Sequence, residues 1–184
     1  MSNFNFPKGS EWRKWDLHVH TPFSILNNQF GNPDEKTTWD KYVTTLFKKA
    51  IEKNIAVIGI TDYFVVEGYK KIKNEYLNNG KIIEKLGFED GEIKKIRRIL
   101  LLPNIEFRLN KLVGSNRINF HVIFSDKVSV EDIEENFLRE IKFVYEGTPQ
   151  NEDEELSLSI NNLRKLGNKL KKEHTKFEKK AKPK

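Results

Sequence analysis

Asp16-Leu17-His18-Val19-His20-Thr21-Pro22 is the stretch on which the reading of this chain turns. Residues 12–20 carry the pattern of a β-strand, whose side chains alternate between two faces. His18 and His20 then project on one side and Val19 on the other. Two imidazoles side by side at a strand end make half of a metal site. The chain has four histidines, and two of them sit here.

Composition frames that pair. A length of 184 residues, rich in Phe, Ile, Leu and Val, suffices for an ordinary domain with a real core. There is no cysteine, which excludes disulfides and thiolate metal sites and fits a cytoplasmic protein. No run approaches the roughly 18 apolar residues of a spanning helix, so no membrane is implied. Met1–Ser10 lacks the apolar core of a secretion signal. The net charge of +6 is unevenly placed: nine lysines and two glutamates in Lys165–Lys184 give +7 and leave the rest near −1. The basicity belongs to the tail, so it argues little for a nucleic-acid face on the fold; nucleic acid stays a candidate partner for the tail alone.

Strand 1 covers Trp12–His20, and Thr21–Lys36 is a loop marked by Pro22, Asn27-Asn28, Gly31-Asn32 and Pro33. Trp39, Tyr42, Val43, Leu46, Phe47, Ala50 and Ile51 follow 3–4 spacing, which predicts an amphipathic helix over Thr38–Lys53 with Asn54 as its stop. Ile55–Ile60 is a continuous apolar run, the pattern of a strand buried on both faces, and Thr61-Asp62-Tyr63 follows it. Val66–Leu77 reads as helix, Lys81–Leu86 as a further helical piece, and Phe88–Lys95 as irregular. Ile99–Leu109 is a strand with Pro103 at a bulge or strand end, and Arg117–Phe124 is another. Ser129-Val130-Glu131-Asp132 resembles a capping box opening a helix to about Leu138.

Ile141–Tyr145 fits no element cleanly and Gly147–Asp153 is a linker. Glu154 to about Lys180 reads as one long helix with Leu156, Ile160, Leu163, Leu166 and Leu170 on a stripe. The expected organisation is an α/β domain over residues 1–150 and a charged C-terminal helix with its Lys-rich tail over residues 151–184. The order β-α-β-α-β-β-α-α implies an α/β fold of four or five mainly parallel strands, which bind ligands at the strands' C-terminal ends.

That rule gathers the polar residues. His18 and His20 end strand 1, Asp62 follows strand 2, Glu106 lies late in its strand, and His121 sits between Phe120 and Val122. All fall on one rim or just inside it. Three histidines and one or two carboxylates suit Zn²⁺, Mn²⁺ or Fe²⁺. Each has a plainer reading: a lone strand histidine is usually a core or surface residue, Glu106 could face solvent, and Asp62 could cap the next helix or fix a turn. The conjunction favours the metal site, because independent accidents rarely all land at the strand ends of one sheet.

Asp16-Leu17-His18-Val19-His20-Thr21-Pro22-Phe23-Ser24 resembles the first motif of the PHP (polymerase and histidinol phosphatase) family. Gly59-Ile60-Thr61-Asp62-Tyr63 is similar to its second, Asn104-Ile105-Glu106 to its third and Asn119-Phe120-His121-Val122-Ile123 to its fourth, in the same order. The resemblance spans roughly residues 10–126. It implies a distorted (β/α)₇ barrel, one to three divalent metal ions, and hydrolysis of phosphomonoesters or phosphodiesters. It assigns His18, His20, Glu106 and His121 as metal ligands and Asp16 and Asp62 as catalytic residues that orient them. Arg108 and Arg117 are candidates for contacting substrate phosphate.

The Thr-Asp-Tyr variant and Leu102-Pro103-Asn104-Ile105-Glu106-Phe107-Arg108 resemble the PHP domain of large ATPase-fused proteins, some of them anti-phage systems. An ATPase partner or a further C-terminal domain is expected on that ground. Tyr63 departs from the family, which usually places a metal-binding histidine there, and Asn27 stands where many members place Asp or His. The later His and Asp-x-His ligands have no counterpart; His174 is the one histidine left. With strands for only part of a barrel, the chain reads as an incomplete PHP-type barrel. The alternative role is a catalytically weak remnant serving as an interaction or nucleic-acid-binding module.

Overall fold

Three strands of the first unit lie parallel because helical crossovers join them. The computed structural model describes residues 12–24, 29–78, 80–114, 116–143 and 156–173. Strand β1 is Lys14–His20, helix α1 Lys36–Glu52 and strand β2 Ile55–Tyr63. Helix α2, Glu67–Lys71, runs on as a π-helical stretch Ile72–Leu77, and α3 (Gly80–Lys85) and α4 (Asp90–Ile96) lead to β3, Leu100–Val113. Strand β4, Asn116–Ile123, completes a four-stranded sheet of order β1-β2-β3-β4.

The β1–β2 and β2–β3 ladders are parallel, whereas β3 and β4 form an antiparallel hairpin. The sheet is thus mixed rather than mainly parallel in every pair, since the short Gly114 turn leaves no room for a crossover. This curled four-stranded sheet fits part of a barrel. The chain divides into two compact units, Met1–Val130 and Glu131–Lys184.

The elements follow from local chemistry. Trp39, Tyr42, Val43, Phe47 and Ala50 are the buried stripe of α1, at the expected spacing. Asn54 ends it in the left-handed region (φ 54°), as a short polar side chain permits. Strand β2 is central and buried from Val57 to Tyr63, as its unbroken apolar run requires. Phe88–Lys95 is not irregular: α4 occupies most of it. The Glu92 carboxylate accepts the Glu89 N–H at 3.0 Å, a first-turn bond whose Glu-x-x-Glu signal stands in the sequence.

Pro103 interrupts nothing in the β2–β3 register, where it faces Ile60. It sits where the β3–β4 ladder ends, its carbonyl accepting the Phe124 N–H at 2.9 Å, so its missing donor faces the side that has run out of partner.

From the end of the first unit, α5 (Val130–Asp132) continues into the second as a π-helical stretch, Ile133–Leu138. Strands β5 (Lys142–Phe143) and β6 (Leu156–Ser157) pair antiparallel. Helix α6 therefore begins later than Glu154, at Ile160, and is followed to Glu173. The physical reason is Ser159, whose hydroxyl accepts the Asn162 N–H at 3.2 Å and caps the helix. The Gly147–Asp153 linker and the tail beyond Glu173 lie outside the described residues. Among the described residues no helix is long and apolar enough to cross a membrane.

Candidate metal centre

Register places the polar residues on defined faces. Thr61 and Tyr63 of β2 pair with Asn104 and Glu106 of β3, and Glu106 pairs in turn with His121 of β4. Alternation puts Thr61, Tyr63, Asn104, Glu106, Arg108 and His121 on one face of the sheet. His18 and His20 reach the same cluster from β1. Their strand is irregular between Asp16 and Val19. There the Leu17 carbonyl is taken by the Asn104 side-chain amide at 2.7 Å rather than by a ladder bond alone. Gly59 lies opposite this irregularity, and a Cβ there would collide with the Leu17 backbone, so glycine is what lets β1 approach.

The imidazoles converge on one carboxylate. His18 Nε2 and His20 Nε2 lie 3.0 Å apart, and each faces Glu106 Oε2, at 3.0 Å and 3.3 Å. His121 stacks edge-on against His18, with ring centroids 4.6 Å apart. One ligand atom each from His18, Glu106 and His121 lie within 4.8 Å of one another. Glu106 is fully buried, and its Oε1 has no hydrogen-bond partner among the described residues.

Without a cation the cluster holds together only if a ring nitrogen keeps its proton toward the other ring or toward Glu106, and Glu106 Oε1 still goes unmatched among the described residues. Ligands of a first-row metal, bonded at about 2.0–2.2 Å, stand about 2.8–3.6 Å from one another at octahedral or tetrahedral angles. The triangle of His18, His20 and Glu106 fits that range, and imidazole with carboxylate is a donor set suited to a divalent first-row metal.

Electrostatics keeps the imidazoles available. Burial holds His20 below its ordinary pKa, with His18 and His121 adding to the effect and Glu106 opposing it. Burial and His18 likewise lower His121 against Glu106. Both are neutral at neutral pH, the form that binds metal. His20 Nδ1 is 2.6 Å from the buried Ser24 hydroxyl, so its Nε2 is the nitrogen turned to the cluster.

The remaining expected residues sit elsewhere. Asp62 points to the opposite, helix-bearing face. Its carboxylate accepts the Thr21 hydroxyl at 2.7 Å and the Gly68 N–H at 3.0 Å, which caps α2. Burial pushes it up to about 7 in spite of those bonds. It therefore touches the centre only indirectly: it holds Thr21, whose carbonyl accepts the Ser24 N–H at 2.9 Å and so shapes the turn that carries Ser24 to His20. A Cβ on Gly68 would collide with Asp62 and Thr21.

Asp16 is exposed at the start of the β1 irregularity, 3.4 Å from the His18 N–H. Arg108 is exposed and donates to the Tyr63 hydroxyl at 3.1 Å, its guanidinium over the Tyr63 ring. Tyr63 stacks on His20, with centroids 4.8 Å apart. The backbone of Arg117 pairs with Leu112, and its side chain, like Asn27 and His174, lies outside the described residues.

Three residues were not singled out from the sequence: Asn104, Ser24 and Thr21, all buried polar groups that support the clustered histidines. Asn104 stood beside Glu106 in its motif, and Ser24 four residues after His20. A crevice of about 540 Å³ runs between β1 and helix α1, lined among others by Thr38, Lys41, Tyr42 and Ala50; His18 and His20 reach it, whereas Glu106 and His121 do not.

No family model matches the chain, and no curated protein does. Among solved structures, it is similar to a candidate metal-dependent phosphoesterase from Bifidobacterium adolescentis, at 16% identity and a TM-score of 0.32. That likeness covers 60% of this chain and 27% of the other, so the chain spans about a quarter of that protein's length.

Proposed function

We propose that this chain is a metal-dependent phosphoesterase of PHP type, acting on a phosphomonoester or phosphodiester. The observation that carries the reading is Glu106, a buried carboxylate with one oxygen facing two imidazoles and the other without a partner among the described residues. His18, His20, Glu106 and His121 would hold a divalent ion. Such an ion supplies Lewis-acid stabilisation of phosphoryl charge and lowers the pKa of water.

The chain's own residues do the rest. Ser24 and Asn104 orient the rings of His20 and His121. Arg108 is parked on Tyr63, close enough to the His20 ring through that stack to swing toward phosphoryl oxygens, which guanidinium binds in a fork.

The test is calorimetric titration of the purified chain with Mn²⁺ and Zn²⁺, followed by hydrolysis of p-nitrophenyl phosphate and bis(p-nitrophenyl) phosphate. Saturable metal binding with turnover, both lost in His18→Ala and Glu106→Gln, is expected. No metal binding by the folded wild-type chain overturns the reading. Binding without turnover of either ester leaves a metal-binding interaction module instead.

A further inference from the structure

We propose that Asn104 is a positioning residue that fixes the tautomer of His121 and couples it to the β1 backbone beside His18. The role of a positioning group for a metal ligand rests on the function proposed above; the tautomer assignment stands apart from it.

Asn104 is 1% exposed, on the same face as Glu106 and two residues before it. Its Nδ2 lies 2.7 Å from the Leu17 carbonyl and 2.9 Å from the Thr61 hydroxyl oxygen. A carboxamide nitrogen carries two hydrogens, and these two acceptors use both. The Thr61 hydroxyl can accept here because its own hydrogen goes to a backbone carbonyl, Gly59 at 3.2 Å or Leu17 at 3.4 Å.

The amide cannot be turned over without cost. Leu17 presents only a carbonyl, so an oxygen in place of Nδ2 would set two acceptors 2.7 Å apart. The orientation leaves Oδ1 as a pure acceptor, 3.3 Å from His121 Nδ1. Nδ2 is also 3.1 Å from that ring nitrogen, but its hydrogens are committed. Hence Nδ1 carries the proton, and Nε2 keeps its lone pair free on the side away from Asn104.

One buried side chain thereby joins three strands. It reads β1 through the Leu17 carbonyl, β2 through Thr61 and β4 through His121. A backbone shift in β1 that moves His18 also moves the amide that orients His121.

The experiment is long-range ¹H–¹⁵N NMR of the imidazoles in the metal-free protein at pH 8, together with Zn²⁺ affinity by competition with a chelating dye. Wild-type His121 is expected as the Nδ1–H tautomer. Asn104→Ala is expected to convert it to the Nε2–H form and to weaken Zn²⁺ binding by about 10- to 100-fold, the usual cost of losing an outer partner of a ligand. Asn104→Asp keeps an acceptor for Nδ1–H but loses both donors, so it should retain the tautomer; this variant decides the matter if the alanine variant does not fold.

An Nε2–H signal for wild-type His121, an unchanged tautomer in Asn104→Ala, or loss of the Nδ1–H form in a folded Asn104→Asp each overturns the proposal. A wild-type protein with Nδ1–H His121 but no Zn²⁺ affinity would sink the metal-dependent function and leave the tautomer assignment standing.

Discussion

Two carboxylates lie buried on neighbouring strands, and they are treated in opposite ways. Asp62, in β2, is 1% exposed, and its oxygens meet the Thr21 hydroxyl and the Gly68 N–H. Glu106, in β3, is wholly buried, yet it meets imidazoles on one oxygen and nothing among the described residues on the other. They face opposite sides of the same sheet. The first is a structural tie whose hydrogen-bond needs are met within the fold. The second keeps one oxygen without a partner among the described residues, and burying such a group unmatched is costly, which is the ground for proposing a cation there.

The sharpest way to break the contrast is Glu106→Gln. It should weaken Mn²⁺ or Zn²⁺ binding by more than the ~100-fold that outer partners cost. The metal-free variant should melt no lower than wild type, since the change removes an unmatched buried charge. Calorimetric titration and thermal melts in chelator read the two effects; a lower melt with intact binding would make Glu106 a structural residue like Asp62.

Gly59→Ala comes next, because the added methyl displaces the Leu17 backbone and with it His18. Overpacking of this kind costs about 1–3 kcal/mol, and here metal affinity should fall along with stability. Gly68→Ala strains the Asp62 side instead, so denaturant melts should show a similar loss with metal affinity nearly intact.

Asp62→Asn keeps one acceptor oxygen and should cost about 1–3 kcal/mol. Its pH dependence sharpens the comparison. The folded pKa of Asp62 is raised from 3.8 to about 7, so the native state holds its proton longer than the unfolded chain does. That contribution is fully present below about pH 4 and is lost as pH rises through about 7. The deficit of Asp62→Asn, measured in urea from pH 4 to 8, should therefore shrink as pH rises.

The smallest effect belongs to Tyr63→Phe. It removes the acceptor of the exposed Arg108 and should change stability by under about 1 kcal/mol while leaving the His20 stack in place. Loss of metal binding in this variant would give the phenol a larger part than its geometry does.

Much of this was legible in the sequence, for identifiable reasons. The His18–His20 pair, the apolar run of β2 and the stripe of α1 are periodic signals, and each element appears near its expected bounds. Glu106 and His121 do come together with the histidine pair, although Glu106 sits in the middle of β3 rather than late in it and His121 comes from an antiparallel strand. What was not legible depends on through-space pairing. The face on which Asp62 points follows from the Asp62–Ile105 register, not from its position after a strand. The irregularity in β1 depends on Gly59 and Asn104, 42 and 87 residues from Leu17. Helix α4 is a different case, because its Glu89–Glu92 signal was local and simply outweighed by surrounding charge and glycine.

The span between the clustered residues has a further consequence. Glu106 and His121 face each other across a hairpin, whereas His18 joins them from 88 residues away. A cation gripping all three would cross-link the start of the fold to its far strand. By analogy with a disulfide closing a loop of that length, the cross-link would take on the order of 4 kcal/mol of freedom from the unfolded chain. The chain has no cysteine, so the ion would fill the place that a covalent bridge occupies in secreted domains. A melting temperature that climbs with added Mn²⁺ or Zn²⁺ and falls back in chelator is the expected mark of it.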